Sequence, residues 1–122
     1  MKDLRFRLQR FAAVTTKYGT GGDDMIFTGG GYYAVSALGG NDWIQNGEDH
    51  VTIDGGSGAD IVYNSGSNVT VYGGDGNDTL VNEVYSYTDA TTLNGGAGND
   101  TIANNGGSYA VILGGAGSDS IY

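Results

Sequence analysis

The chain of 122 residues contains no cysteine and no proline, one histidine, one tryptophan and only five basic residues. Without cysteine there is no disulfide framework, no thiolate metal site and no thiol nucleophile. His50 stands alone, with no cysteine to activate, and reads as a solvated turn residue. Lys2, Arg5, Arg7, Arg10 and Lys17 all fall within the first 17 positions, and 13 of the 14 acidic residues follow them. The chain is thus a short basic arm, net +4, on an acidic body, net −13. That body excludes nucleic acid as a partner, which needs a far larger basic face. Long apolar runs are missing too. Leu4, Phe6 and Leu8 alternate with Arg5, Arg7 and Gln9, which gives neither a cleavable signal peptide nor a membrane-inserting segment. No stretch of the body shows the 3.6-residue period of a helix.

What the chain has is glycine, 24 of them, and aspartate at a fixed step. Asp24, Asp42, Asp60 and Asp78 are 18 residues apart, and Asp100 and Asp119 follow after steps of 22 and 19. The residues before four of them read Gly55-Gly56-Ser57-Gly58-Ala59-Asp60, Gly73-Gly74-Asp75-Gly76-Asn77-Asp78, Gly95-Gly96-Ala97-Gly98-Asn99-Asp100 and Gly114-Gly115-Ala116-Gly117-Ser118-Asp119. Two earlier turns are degraded. Gly19-Thr20-Gly21-Gly22-Asp23-Asp24 keeps three of the four fixed positions of GGxGxD, and Ala37-Leu38-Gly39-Gly40-Asn41-Asp42 keeps two.

Apolar residues sit two places after each aspartate, at Ile26, Ile44, Val62, Leu80, Ile102 and Ile121. Others sit at Val35, Ile53, Val71, Leu93 and Ile112, with Tyr33, Val51, Val69, Thr91 and Ala110 two places earlier. Alternation of this kind is the strand signal. Each unit therefore reads as two short strands and two turns, and one unit cannot bury its own apolar face. The units must stack. The predicted fold is all-β, a right-handed parallel β-roll or β-solenoid, with coils about 4.8 Å apart. Residues 18–122 form the solenoid, and residues 1–17 form the arm.

Stacking puts the aspartates in a column of like charges. Two carboxylates about 5 Å apart repel by roughly 1 kcal/mol at the dielectric of water and roughly 3 kcal/mol at an effective value of 20. Several such pairs are comparable with the whole stability of a domain, about 5 to 15 kcal/mol. The column calls for a cation. Oxygen donors point to a hard ion, and calcium accepts irregular geometry and carbonyl ligands better than magnesium. Folding should then be coupled to metal binding.

The four intact turns, each followed by x and an apolar residue, resemble the RTX (repeats-in-toxin) nonapeptide GGxGxDxUx, a calcium-binding β-helix repeat. The resemblance runs from Tyr18 to Tyr122. It implies Ca2+ held between the turns of neighbouring coils, up to five ions along one edge. The ligands it implies are Asp24, Asp42, Asp60, Asp78, Asp100 and Asp119, with carbonyls of Gly56, Gly58, Gly74, Gly76, Gly96, Gly98, Gly115 and Gly117. The second turn of each coil departs from the family. There Thr28, Asn46, Asn64, Asn82 and Asn104 stand four places after the aspartates, an uncharged ladder whose amides can bond from coil to coil. Metal is expected on one edge only.

Counting back 18 from Ile26 gives Leu8. Leu4, Arg5, Phe6, Arg7, Leu8 and Arg10 are therefore expected to form the strand of a degenerate first coil, either as a cap or as an assembly arm. The same register puts Lys17 in an interior column, so the join to the first coil should be irregular. After Asp119 the last coil is incomplete, and an open strand edge templates another chain. The expected function is that of a non-catalytic, secreted or cell-surface structural protein, a calcium-stabilised roll that associates head to tail into fibres. The alternative is a calcium-binding module of a larger secreted toxin, enzyme or adhesin. A third class, ice binding, rests on the short rank Thr52, Thr70 and Thr92. An outward apolar column, with Met25, Trp43 and Ile61 beside Phe27, Tyr63, Val81 and Tyr122, fits lateral packing. No catalytic constellation or small-molecule substrate site is expected: Gly56-Ser57-Gly58 falls in the metal turn, with no helix after it.

Overall fold

Alternating burial shapes every coil. In Ile61–Asn64 the second and fourth residues are buried and the first and third face outward, as the pleat of a strand requires. The computed structural model describes residues 15–87 and 89–122, and all of its regular elements are strands. Numbered in chain order, β1 (Thr15–Tyr18), β3 (Tyr32–Ser36), β5 (Thr52–Ser57), β7 (Thr70–Asp75), β9 (Thr92–Ala97) and β11 (Val111–Ala116) pair in that order as one parallel sheet. The other sheet is β2 (Met25–Phe27), β4 (Trp43–Asn46), β6 (Ile61–Asn64), β8 (Thr79–Asn82), β10 (Thr101–Asn104) and β12 (Ser120–Ile121). The chain passes from one sheet to the other at each turn, and the result is the predicted parallel β-solenoid. Among the described residues the first strand starts at Thr15, inside the segment assigned to the arm. Leu4, Arg5, Phe6, Arg7, Leu8 and Arg10 lie outside the described residues.

The pairing follows the repeat. Ile26, Ile44, Val62, Leu80 and Ile102 stack as one interior ladder, and Val35, Ile53, Val71 and Leu93 as the facing one. All nine are buried. Burying a side chain of this size is worth about 1.5 to 3 kcal/mol, and no single coil could do it alone. Between Asp78 and Asp100 four extra residues are accommodated between Asn82 and Thr91, and the strands on either side stay in register.

Tyr33 corrects the sequence reading. It is 45% exposed instead of interior. Thr15 pairs with Tyr32 and Thr16 with Ala34, so Tyr33 is the surplus residue of a bulge. A tyrosine is too large for the column that Val51 and Val69 fill, and its hydroxyl would find no partner there. The bulge falls between Thr15 and Thr16, and at Lys17, where the irregular join was expected, the 18-residue register is kept. Lys17 pairs with Val35 in the interior column, and its Nζ turns to donate to the Phe27 carbonyl at 2.8 Å, over the Tyr32 ring.

Candidate metal centre

The asparagine edge is bound together without charge. Asn46 Nδ2 donates to Asn64 Oδ1 at 2.7 Å, Asn64 Nδ2 to Asn82 Oδ1 at 2.8 Å, and Asn82 Nδ2 to Asn104 Oδ1 at 2.8 Å. Thr28 starts the series by donating to Asn46 Oδ1. Asn64 also closes its own turn, with Nδ2 on the Gly66 carbonyl and Oδ1 accepting the Gly66 amide. This is the ladder the sequence predicts.

On the other edge the aspartates stack as predicted, and each uses its two oxygens differently. The amide of Asp24 donates to Asp42 Oδ1, and Asp42 to Asp60, Asp60 to Asp78, Asp78 to Asp100 and Asp100 to Asp119 continue the chain, all at 2.8 to 2.9 Å. Oδ2 of Asp42, Asp60, Asp78 and Asp100 is buried and has no hydrogen-bond partner. Desolvation by burial raises the carboxyls of Asp42, Asp60 and Asp78 above the ordinary range, against the lowering effect of the amide bond and with further raising by the neighbouring aspartates. For Asp78 the value reaches about 6.

The first glycine of each intact turn makes room for the free oxygen. A Cβ on Gly55 would lie 2.6 Å from Asp60 Oδ2 and 2.5 Å from the Gly73 carbonyl of the next coil. Gly73 is placed alike, 2.5 Å from Asp78 Oδ2 and 2.6 Å from the Gly95 carbonyl. A carboxylate oxygen and a carbonyl oxygen therefore converge at each step. Gly55, Gly73, Gly95 and Gly114 were not among the ligand glycines read from sequence, and the pairing of glycines in each motif was the signal for them. The glycines that were named, Gly56, Gly58, Gly74, Gly76, Gly96, Gly98, Gly115 and Gly117, all have positive φ. The carbonyl of Gly56 points at Gly74, and that of Gly58 at Gly76, so carbonyls also stack along this edge.

The degraded turns differ from each other. Leu38 takes the place of Gly56 one coil earlier and adopts the same left-handed backbone, φ 76°, at a steric cost. Asp42 is thereby held like the later aspartates, with Oδ2 free. Asp24 is different, because Thr20 donates to its Oδ2 from the amide at 2.6 Å and from the hydroxyl at 2.9 Å. Asp119 lies in the last coil and is only half-buried.

Nowhere among the described residues do three or more acidic, histidine or cysteine side chains converge. A cation on this edge would take one or two carboxylates and complete its shell with main-chain carbonyls, which is calcium chemistry. The residues fit such an ion: the turns at Asp60, Asp78 and Asp100 each offer an unpartnered carboxylate oxygen beside a carbonyl. His50 is exposed on a left-handed turn, φ 61°, with no constellation around it. The family profile of the RTX calcium-binding nonapeptide repeat, HemolysinCabind, matches in four copies over residues 36–68, 65–82, 88–110 and 105–122. Comparison with curated proteins and with solved structures gave no match.

Proposed function

The chain belongs to the RTX calcium-binding nonapeptide-repeat family, and from that premise we propose a non-catalytic structural β-roll whose interior turns take up Ca2+ between coils and whose last coil associates with a second copy. The observation that carries the metal reading is the row of buried, unpartnered Oδ2 atoms on Asp42, Asp60, Asp78 and Asp100. When bound, Ca2+ supplies the positive charge that the column lacks. Among the described residues Lys17 is the only lysine or arginine, and it is engaged with the Phe27 carbonyl. The turn at Asp24 is the weakest candidate, because Thr20 already occupies its second oxygen.

Assembly is supported by the last coil. Ile112 and Ile121 continue the two interior ladders, yet Ile112 is only partly buried and Ile121 is 52% exposed. A further coil would cover both and pair with the open edges of β11 and β12. In this proposal the coil belongs to a second copy and the product is a head-to-tail fibre. The reading as a module of a larger secreted protein is equally compatible with the family match. The proposal places the chain outside the cell, where calcium is millimolar and even weak sites would fill.

A calcium titration followed by circular dichroism and light scattering tests both parts. Strand signal should rise with calcium and collapse with chelator, and scattering should rise with it. Strand content indifferent to both reagents would refute the metal role; a calcium-loaded monomer at every concentration would refute the fibre and leave the module.

A further inference from the structure

Asp89 has no place in the aspartate column. It lies on the opposite edge, in the segment lengthened by four residues between Asn82 and Thr91, and it is 0% exposed. Its oxygens are nevertheless divided as in the column. Oδ1 accepts the amide of Asn68, one coil earlier, at 2.9 Å, and Oδ2 is buried with no hydrogen-bond partner of either kind. That free oxygen is pressed against Gly107 of the next coil, where φ is 85° and a Cβ would collide with it. Asp60 stands in the same relation to Asp42 before it and to a glycine beside it.

A substitution in the core supports this carboxylate. The interior column that holds Val51 and Val69 continues with Thr91, fully buried, whose hydroxyl donates to Asp89 Oδ1 at 2.6 Å. Threonine matches valine in shape, and the hydroxyl it adds is used to orient Asp89. Among the described residues no lysine or arginine pairs with the carboxylate, since Lys17, in the first coil, donates to the Phe27 carbonyl. A buried carboxylate oriented by two donors and left with one bare oxygen is neutral when it holds a proton, and when ionised it is stabilised by a positive partner.

We infer that Asp89 anchors a separate cation site on the asparagine edge, outside every GGxGxD turn, and that its ligand is a hard divalent ion, Ca2+. The chain has no cysteine, and the carbonyl of Val84 abuts Gly106, the sequence neighbour of the glycine that faces Asp89. The lengthened segment is then what admits a metal on an edge otherwise closed by amides. This inference stands on Asp89 itself and not on the column.

Calcium titration calorimetry on the full chain, comparing wild type, D89N and D60N, tests it. D89N should bind one ion fewer than wild type and keep the column ions, with a smaller rise in Tm on adding calcium. Equal stoichiometry and an equal rise in Tm would overturn the inference while leaving the column reading intact. Should D89N fail to fold, crystals of the wild-type chain grown in calcium decide the matter. Anomalous density at Asp89 Oδ2 is expected. Density at Asp60 and Asp78 alone would overturn this site; density at Asp89 alone would uphold it and sink the column; density at neither would sink both.

Discussion

The main-chain amide of Asp60 donates to Oδ1 of Asp78 at 2.8 Å, and Asp42, Asp60, Asp78 and Asp100 each tie one oxygen to the preceding coil and leave the other bare. Repetition of this bond makes the charge column a structural ladder and a row of candidate ligands at once.

Asp78→Asn separates those two roles. Asparagine keeps the acceptor for Asp60, removes a charge, and places an amide NH2 beside the Gly95 carbonyl. In chelator at neutral pH its Tm should rise, reflecting relief of about 1 to 3 kcal/mol of repulsion. In calcium its Tm should fall below that of the wild type. Melting curves in both buffers check the crossing of sign.

The metal-free chain should be more stable in mild acid than at neutral pH. Asp78 is raised to about 6, and Asp42 and Asp60 are raised as well. The folded state therefore holds protons that an unfolded aspartate, with an ordinary value of about 3.9, has released. Stability from these groups is complete below about 4 and is lost as pH rises, for Asp78 through about 6. With calcium bound the trend reverses, because protons compete for the same oxygens. Thermal melts between pH 4 and 8, with and without chelator, distinguish the two; a chelated chain that gains stability with rising pH over this window contradicts the assignment.

Gly74→Ala should destabilise the roll by about 2 kcal/mol or more, since φ there is 108° and the new methyl would be driven into the Gly56 carbonyl. Gly21→Ala, with open space around it and no positive φ, should fall within about 0.5 kcal/mol of wild type. Denaturant melts in saturating calcium compare them.

Asn64→Ala should cost about 4 kcal/mol or more. It leaves Asn46 Nδ2, Asn82 Oδ1 and both main-chain groups of Gly66 without their partner, and each buried orphan costs about 1 to 3 kcal/mol. The loss should be the same with and without calcium, because the groups left unpaired are uncharged and none is a proposed ligand. A calcium-dependent loss would place metal beside it.

Much of the fold was legible because a solenoid turns sequence period into spatial neighbourhood. Ile44 and Val62 touch because they are 18 residues apart, and the same holds for Asn46 and Asn64. Tyr33 broke the pattern because its column had no room for it, and alternation alone carries no information on volume. Asp89 was overlooked because it falls inside the 22-residue step, off the repeat, where no register assigns it a neighbour.

The sequence by itself determined the strand period, the two interior ladders, the two edges and their opposite chemistry, since each depends only on residues one repeat apart. Tertiary structure alone decided which oxygens are free. Thr20 closes Asp24, Leu38 accepts strain to keep Asp42 in place, and Thr91 reaches out of the core to hold Asp89. Hydrogen bonds and burial are properties of positions in space, and an aspartate letter is the same whether its second oxygen is bonded or bare.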